Sequence, residues 1–422
     1  MTKLAIQQKI AKAKLAANKL GLVSAKTRTA ALKDIAKALN ARQALIISAN
    51  QKDISRARAA GRGESFIERL TLSEDRVAAM ARAVFAIAKL PEVVGKILET
   101  KKRPSGITVN KVRVPLGLIA MIYESRPNVT LDAFALAFKS ANAILLKGGN
   151  EIAHTNAVLV KIIKHSLQAH KIDSDTITDM SGLPQSAAAH LMNDRNIDCL
   201  IPRGGKGLIE FVREHARVPV IITGASVVHT YVADDADTSM AADIIVNAKT
   251  RRVSICNALD TIVVHRKKAA ALWRVLAPRL AERNVTIKAD TFSYEILKKL
   301  RYPFLQKAGA KDFDTEFLDY TLAVRTVDSL NEALAHIQQH SLGHSEAIIT
   351  RSKKQAQTFF SAIDAACLYW NTSTQFSDGG EFGLHAEIGI STQKLHARGP
   401  FAYESLTTYK YLVSSKGATR KG

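Results

Sequence analysis

From Gly117 to Ser226 one rhythm repeats. GLIAMIY is an unbroken apolar run, followed by the helix-periodic TLDAFALAFKSAN; AILLKGG is followed by IAHTNAVLVKIIKHSLQAH; IDCLIPRGG by KGLIEFVREHA; and VPVIITGAS is a further apolar run. Runs of five to seven apolar residues with no polar alternation are strands covered on both faces. Strand and helix alternating at this spacing force a mostly parallel sheet flanked by helices, because a parallel pair needs a long crossover connection. Such sheets take ligands at the carboxyl ends of their strands. Gly148-Gly149 and Gly204-Gly205 fall at those ends.

A second series follows: LDTIVVH, KKAAALWRVLAPRLAER, TLAVRTV, SLNEALAHIQQH and SEAIIT read strand, helix, strand, helix, strand. Residues 1–100 read as helices, from apolar and Ala positions recurring every three or four residues in TRTAALKDIAKALNARQALIISAN and DRVAAMARAVFAIAKL. ITVNKVRVPLGLIAMIYE reads strand, break at Pro115-Leu-Gly, strand. From Tyr369 the chain is rich in Gly, Ser and Thr, which suits ordered loops around a site, closed by the strand-like TTYKYLV.

At 422 residues the chain has room for two or three domains, and no apolar run approaches the ~18 residues of a membrane span. Met1–Lys33 is basic and free of acids, like a transit peptide, but it is Lys-rich and continues as amphipathic helix, so no cleaved leader is expected. Three cysteines, Cys199, Cys256 and Cys367, form no CxxC pair and suit a reducing, cytoplasmic setting. The net charge of +22 invites nucleic acid, yet the basic residues are spread along the chain and no nucleic-acid module is present; a diffusely basic enzyme with anionic ligands is the plainer reading.

Local motifs leave choices open. PRGGKGL, at a strand end and helix start, fits either a phosphate cradle or a tight turn. His336, His340 and His344 are spaced by four, but Gly343 ends the helix before the third, and no carboxylate motif accompanies them, so a metal site is not expected. Cys256, in NAKTRRVSICNALD, is either a small core residue or a nucleophile on a connection between helix and strand, with Arg251 and Arg252 nearby in sequence.

Longer stretches carry a resemblance. VPLGLIAMIYESRPNVT, IPRGGKGLIEFV, IVNAKTRRVSICNALDT, GHSEAIIT, DGGEFGLHAEIGISTQKLHARGP and LTTYKY resemble the γ-glutamyl phosphate reductase family (glutamate-5-semialdehyde dehydrogenases) of the aldehyde dehydrogenase superfamily. The resemblance implies an α/β fold with a Rossmann-like nicotinamide domain (1–106 and 124–228), a catalytic αβ domain with the nucleophilic cysteine (229–365), an oligomerisation β-ribbon (107–123 and 400–416), and active-site loops returning to the cofactor domain (366–399). It implies NADPH-dependent reduction of L-glutamate 5-phosphate through a thioester on Cys256, with glutamate 5-kinase as the supplier and a homo-oligomer as the working form. Asn128 is the implied oxyanion donor. Arg126, Ser373, Thr374, Arg398 and Gly399 are implied substrate contacts, and Lys147, Gly204, Gly205 and Glu316 cofactor contacts. The chain departs from the family at Val253, for a common Pro; Arg251, for Gln; His385, for Gly; and Val228, for Cys. Ile222 stands where hydrolytic relatives hold a water-activating glutamate.

Overall fold

The computed structural model describes residues 3–124, 126–184, 186–384 and 386–420; His385 lies outside them. The chain divides into two compact units. One comprises residues 1–223, 383–389 and 401–422; the other comprises 224–382 and 390–400.

The first unit is built on a four-stranded parallel sheet in the order Ile177–Asp179, Ala143–Lys147, Leu118–Tyr123, Cys199–Arg203. The middle two strands are buried at every position, which is why their sequences are continuously apolar. Helix Lys3–Leu20 lays Ile6, Ile10, Ala13 and Ala17 on one face, at helical spacing, against Leu118, Ala120 and Leu145. Gly117 starts the strand with a φ of 125°, and a side chain there would collide with the Asp198 carboxylate, so glycine is required. Its N–H donates to Asn142 Oδ1 at 2.7 Å.

Helices fill most of residues 3–89, as their periodicity predicts. The ribbon differs from expectation. Leu118–Tyr123 belongs to the four-stranded sheet, not the ribbon. The ribbon is three antiparallel strands, Ile97–Lys102, Thr108–Pro115 and Thr407–Ser414, the first of which lies partly in the stretch expected to be helical. Both outer strands are open edges, and Tyr409, Tyr411, Leu412 and Val413 are exposed. VPVIITGAS also differs. Ile221 and Ile222 are buried, but this segment joins the sheet only by a bridge from Val220 to Leu200.

The second unit holds a seven-stranded, wholly parallel sheet in the order Leu305–Lys307, Thr286–Ala289, Thr321–Val327, Thr261–His265, His229–Val232, Ser345–Ile349, Cys367–Trp370. Helices Thr238–Thr250 and Arg266–Ala281 cover one face through Ile245, Leu272, Trp273 and Leu276. Helices Leu330–His340 and Lys353–Ala362 cover the other through Ile337 and Phe359. Cys367–Trp370 completes this sheet, so the second αβ unit extends past residue 365, where it was expected to end.

Candidate active site

In the first unit, strands 118–123, 143–147 and 177–179 succeed one another in one direction across the sheet, and 199–203 returns to the other side of 118–123. The connections therefore diverge between Leu118–Tyr123 and Cys199–Arg203, which opens a crevice at their carboxyl ends. Both ends carry polar groups. After Tyr123 comes Glu124, then Arg126 and Asn128 at the start of helix Pro127–Lys139; after Arg203 come Gly204, Gly205 and helix Lys206–His215.

The Gly205 N–H donates to Glu124 Oε1 at 2.8 Å. A carboxylate already sits where a helix start attracts an anion. A Cβ at Gly204 would lie 2.7 Å from the same oxygen, so the close approach needs glycine. Gly148 is as tightly placed, with Ile152, Asn156 and Ser181 about a hypothetical Cβ at 2.9 to 3.0 Å. Lys147 ends its strand buried, its ammonium on the carbonyls of Gly148 (3.2 Å) and Ser181 (3.5 Å), and burial lowers its pKa. Asn128 is exposed and donates one amide hydrogen to Asp132 at 3.2 Å; burial raises the Asp132 pKa.

In the second unit Cys256 lies half-buried on an irregular segment between helix Thr238–Thr250 and strand Thr261–His265. Its backbone carbonyl accepts from the Ser226 hydroxyl, whose oxygen is also 3.0 Å from Glu316 Oε1. One hydroxyl hydrogen thus faces two acceptors. Asp260 fixes the segments on either side: it accepts from the N–H of Val228 and of Phe317, each at 3.0 Å. Behind it lies Lys249, fully buried, donating to the Leu259 carbonyl at 2.9 Å. Burial pushes Asp260 up to about 6 and Lys249 down to about 8, each opposed by the other's charge.

A second set of bonds holds the cysteine turn from below. Asn257 donates to the carbonyls of Gln375 (3.3 Å) and Ser377 (2.9 Å), and Gln375 donates to those of Ala248 (3.0 Å) and Arg252 (3.3 Å). Arg251 donates back to Gln375 Oε1 at 3.3 Å, which is where the departure from Gln is absorbed. Ser226, Glu316 and Cys256 all precede strands of this sheet, so the cysteine cluster lies at its amino edge, opposite to the end used in the first unit.

Of the expected substrate contacts from the C-terminal loops, Ser373 and Thr374 are turned into the protein. Thr374 is fully buried and its hydroxyl donates to the Asn257 carbonyl at 2.7 Å; Ser373 is buried and accepts from the Gln375 N–H at 3.2 Å. Thr374 braces the cysteine turn directly, and Ser373 caps the short turn that carries Gln375. Arg398 pairs with Asp364 at 2.5 Å, and Gly399 takes a φ of 77° beside Ala366 and Cys367. Ser226, Asn257, Asp260 and Gln375 were not foreseen. For Asn257 the adjacency to Cys256 was the available signal; the others are brought in only by the fold.

His229 is fully buried, with Nδ1 3.1 Å from Glu346 and its ring edge-on to His336. His336 and His340 lie on one helix, His340 contacts Asp314 at 2.6 Å, and His344 follows the helix end, buried against Ser345. Burial pushes His336 down to about 3 and His344 down to about 4, so both rings are neutral. Among the described residues no three His, Cys, Asp or Glu side chains gather as a metal site, and no helix is long and apolar enough to cross a membrane.

Residues 1–292 match the model of the aldehyde dehydrogenase family. The chain is 45% identical to the gamma-glutamyl phosphate reductase of Carboxydothermus hydrogenoformans, over 97% of this chain and 98% of that one. The crystal structure of gamma-glutamyl phosphate reductase from Thermotoga maritima superposes with a TM-score of 0.95 at 38% identity, covering 99% of this chain and 100% of the other. A glyceraldehyde-3-phosphate dehydrogenase from Methanocaldococcus jannaschii, complexed with NADP, shares the fold at 14% identity (TM-score 0.69, covering 99% and 95%).

Proposed function

The chain belongs to the gamma-glutamyl phosphate reductases of the aldehyde dehydrogenase family, and from that premise we infer a covalent mechanism centred on Cys256. The reaction reduces L-glutamate 5-phosphate to L-glutamate 5-semialdehyde and phosphate, a step of proline biosynthesis. The observation that carries the mechanism is the placing of Cys256: half-buried, on an irregular turn whose carbonyl is held by Ser226 and whose flanks are held by Asp260.

The Cys256 thiolate attacks the acyl carbon, and the carbonyl oxygen becomes an oxyanion. The Cys256 N–H is assigned as one donor and the Asn128 amide as the other; Asn128 keeps one amide hydrogen beyond that given to Asp132. As the oxyanion collapses, the bond from carbon to the phosphoryl oxygen breaks, phosphate leaves, and a thioester remains on Cys256. Phosphate is a good leaving group, so no strong general acid is required. NADPH, when bound, supplies the hydride that reduces this thioester. The resulting thiohemiacetal loses the C–S bond, which restores the thiolate and releases the aldehyde. The semialdehyde then cyclises by itself to pyrroline-5-carboxylate. Arg126 is exposed beside Asn128 and is assigned to the substrate's anionic groups.

The family uses a nicotinamide cofactor, and the crevice of the first unit suits one. Gly205 already holds a carboxylate at the helix start where a pyrophosphate would bind, and Gly148 and Gly204 leave no room for a side chain. Lys147 is assigned to the adenosine ribose and any 2′-phosphate, and Glu316 to the nicotinamide ribose. A ribose hydroxyl donating to Glu316 would leave the single hydrogen of Ser226 to the Cys256 carbonyl. The working form is a cytoplasmic homo-oligomer joined through the ribbon and supplied by glutamate 5-kinase. The test is NADPH oxidation with the kinase generating the acyl phosphate in situ. Oxidation that requires both the kinase and its substrates supports this reading; equal oxidation without the kinase sinks it.

A further inference from the structure

Helix Pro127–Lys139 carries Asn128 in its first turn and ends on Lys139, about 16 Å away at the rise of an α-helix. Lys139 is 3% exposed. Among the described residues its ammonium meets only the Thr29 hydroxyl and the Ala88 carbonyl, each at 3.3 Å. These are long for bonds from a charged donor. The nearby carboxylate is Glu92, and it is already engaged. One oxygen accepts from Arg28 at 2.9 Å, and the other from the N–H groups of Val93 (3.1 Å) and Val94 (3.0 Å). A buried cation without a bonded counter-charge is strongly disfavoured, and burial lowers the Lys139 pKa accordingly.

Lys139 forms part of the wall of a cavity of about 600 Å3 between helices Ala25–Ala41 and Glu74–Lys89, with Lys26, Lys33 and Lys89 also lining it. Lys26 and Lys33 are exposed, and among the described residues their side chains make no hydrogen bond, while Lys89 lies over the Phe85 ring at 4.5 Å. Ala25, Ala30, Ala88 and Leu90 make much of the remaining wall apolar. Four ammonium groups therefore line a pocket whose one carboxylate is spent on Arg28 and the backbone.

We propose that this cavity is a second ligand site, taking a small anion, carboxylate or phosphate, with its charged end on Lys139 and its body against the alanines and Leu90. Such a ligand supplies the charge that Lys139 lacks, and the site is separate from the crevice at the other end of the helix. Small organic anions fit better than free amino acids, whose ammonium would face three lysines.

The probes are inorganic phosphate and benzoate, each titrated at constant ionic strength with chloride as the control. The protein is labelled with 13C at lysine Cε, and the Lys139 signal is identified by its loss in Lys139→Met. This readout is local, so binding of phosphate in the catalytic crevice does not imitate it. Saturation of the Lys139 shift by about 10 mM of either probe, with none from chloride, is expected; phosphate alone marks a phosphoryl site, benzoate alone a carboxylate site. The double variant Lys26→Met/Lys33→Met, altered only at exposed positions, should weaken that binding about fivefold, since rim charges contribute modestly. It keeps Lys139, so its own shift can be followed even if Lys139→Met folds poorly. A Lys139 signal that neither probe moves, or that chloride moves equally, overturns the proposal. So does full-strength binding in the double variant.

Discussion

Asp260→Asn offers the sharpest test of how the cysteine turn is held. The carboxylate receives two backbone N–H groups, from the segments that carry Ser226 and Glu316, and it is the counter-charge to the fully buried Lys249. An amide has one acceptor oxygen where the carboxylate has two. One of the two N–H groups is therefore left unbonded, at about 1–3 kcal/mol. Lys249 becomes an uncompensated buried cation, and breaking such a pair from one side costs about 3–5 kcal/mol in all. The double variant Asp260→Asn/Lys249→Met removes that cation and should recover about 2 kcal/mol or more, leaving mainly the lost N–H bond. Both tryptophans, Trp273 and Trp370, lie in the second unit, so urea unfolding followed by tryptophan fluorescence reports on that unit. The pH dependence is a second reading. Asp260 rises from 3.8 to about 6 on folding, so the folded state binds the extra proton and stability falls from about pH 4 to about pH 6. Lys249 falls from 10.5 to about 8, so the folded state releases its proton early and stability climbs from about pH 8 towards pH 10.5. The wild-type unit should therefore show a trough between about pH 6 and 8 that the double variant lacks. A coupling below about 0.5 kcal/mol between the two substitutions, with no difference in pH profile, would refute this account.

Cys256→Ala should abolish reduction while NADPH still binds, measured by calorimetry; turnover within about tenfold of wild type would end its assignment as nucleophile. Ile222→Glu should raise thioester hydrolysis, read as glutamate formed per NADPH when semialdehyde and NADP are supplied without phosphate. A wild-type enzyme that already makes glutamate as fast as it runs the phosphate-dependent reaction would show that another base serves. The apparent affinity for the acyl phosphate should fall as salt rises from about 0.05 to about 0.3 M, because a basic site attracts an anion through a screened field; a flat response assigns the net charge of +22 elsewhere. Light scattering should show an oligomer at micromolar concentration, since both ribbon edges are open and Tyr409, Tyr411, Leu412 and Val413 are exposed; a stable monomer contradicts it.

The sheets were legible because their central strands are buried on both faces, and burial writes itself as an unbroken apolar run: LIAMIY, AILLK, TIVVH. Where burial fails, so does the signal. ILETKK is exposed throughout and gives no apolar period, and Thr286–Ala289 and Leu305–Lys307 are short and only part-buried. VPVIITGAS shows the converse error, for its isoleucines are buried without a full ladder. The site divides in the same way. Gly204-Gly205 was found because a glycine pair at a strand end is a local pattern, and the carboxyl-end rule places it. The cysteine cluster follows no such rule, since Ser226, Cys256 and Glu316 stand before strands and are spread over ninety residues of sequence. Serine, threonine and aspartate are also ordinary loop residues, so the sequence does not say whether their oxygens face a substrate or the protein. Thr374 looked like a group on display and braces the cysteine turn, and Ser373 caps the turn beside it; Asp260, inside the run LDTIVVH, holds the segments of Val228 and Phe317 on either side of that turn. What separates the two roles is the direction of one hydrogen bond, which depends on segments a hundred residues distant. Motif membership therefore located the loops that matter here, while the work of each side chain within them followed from the packing.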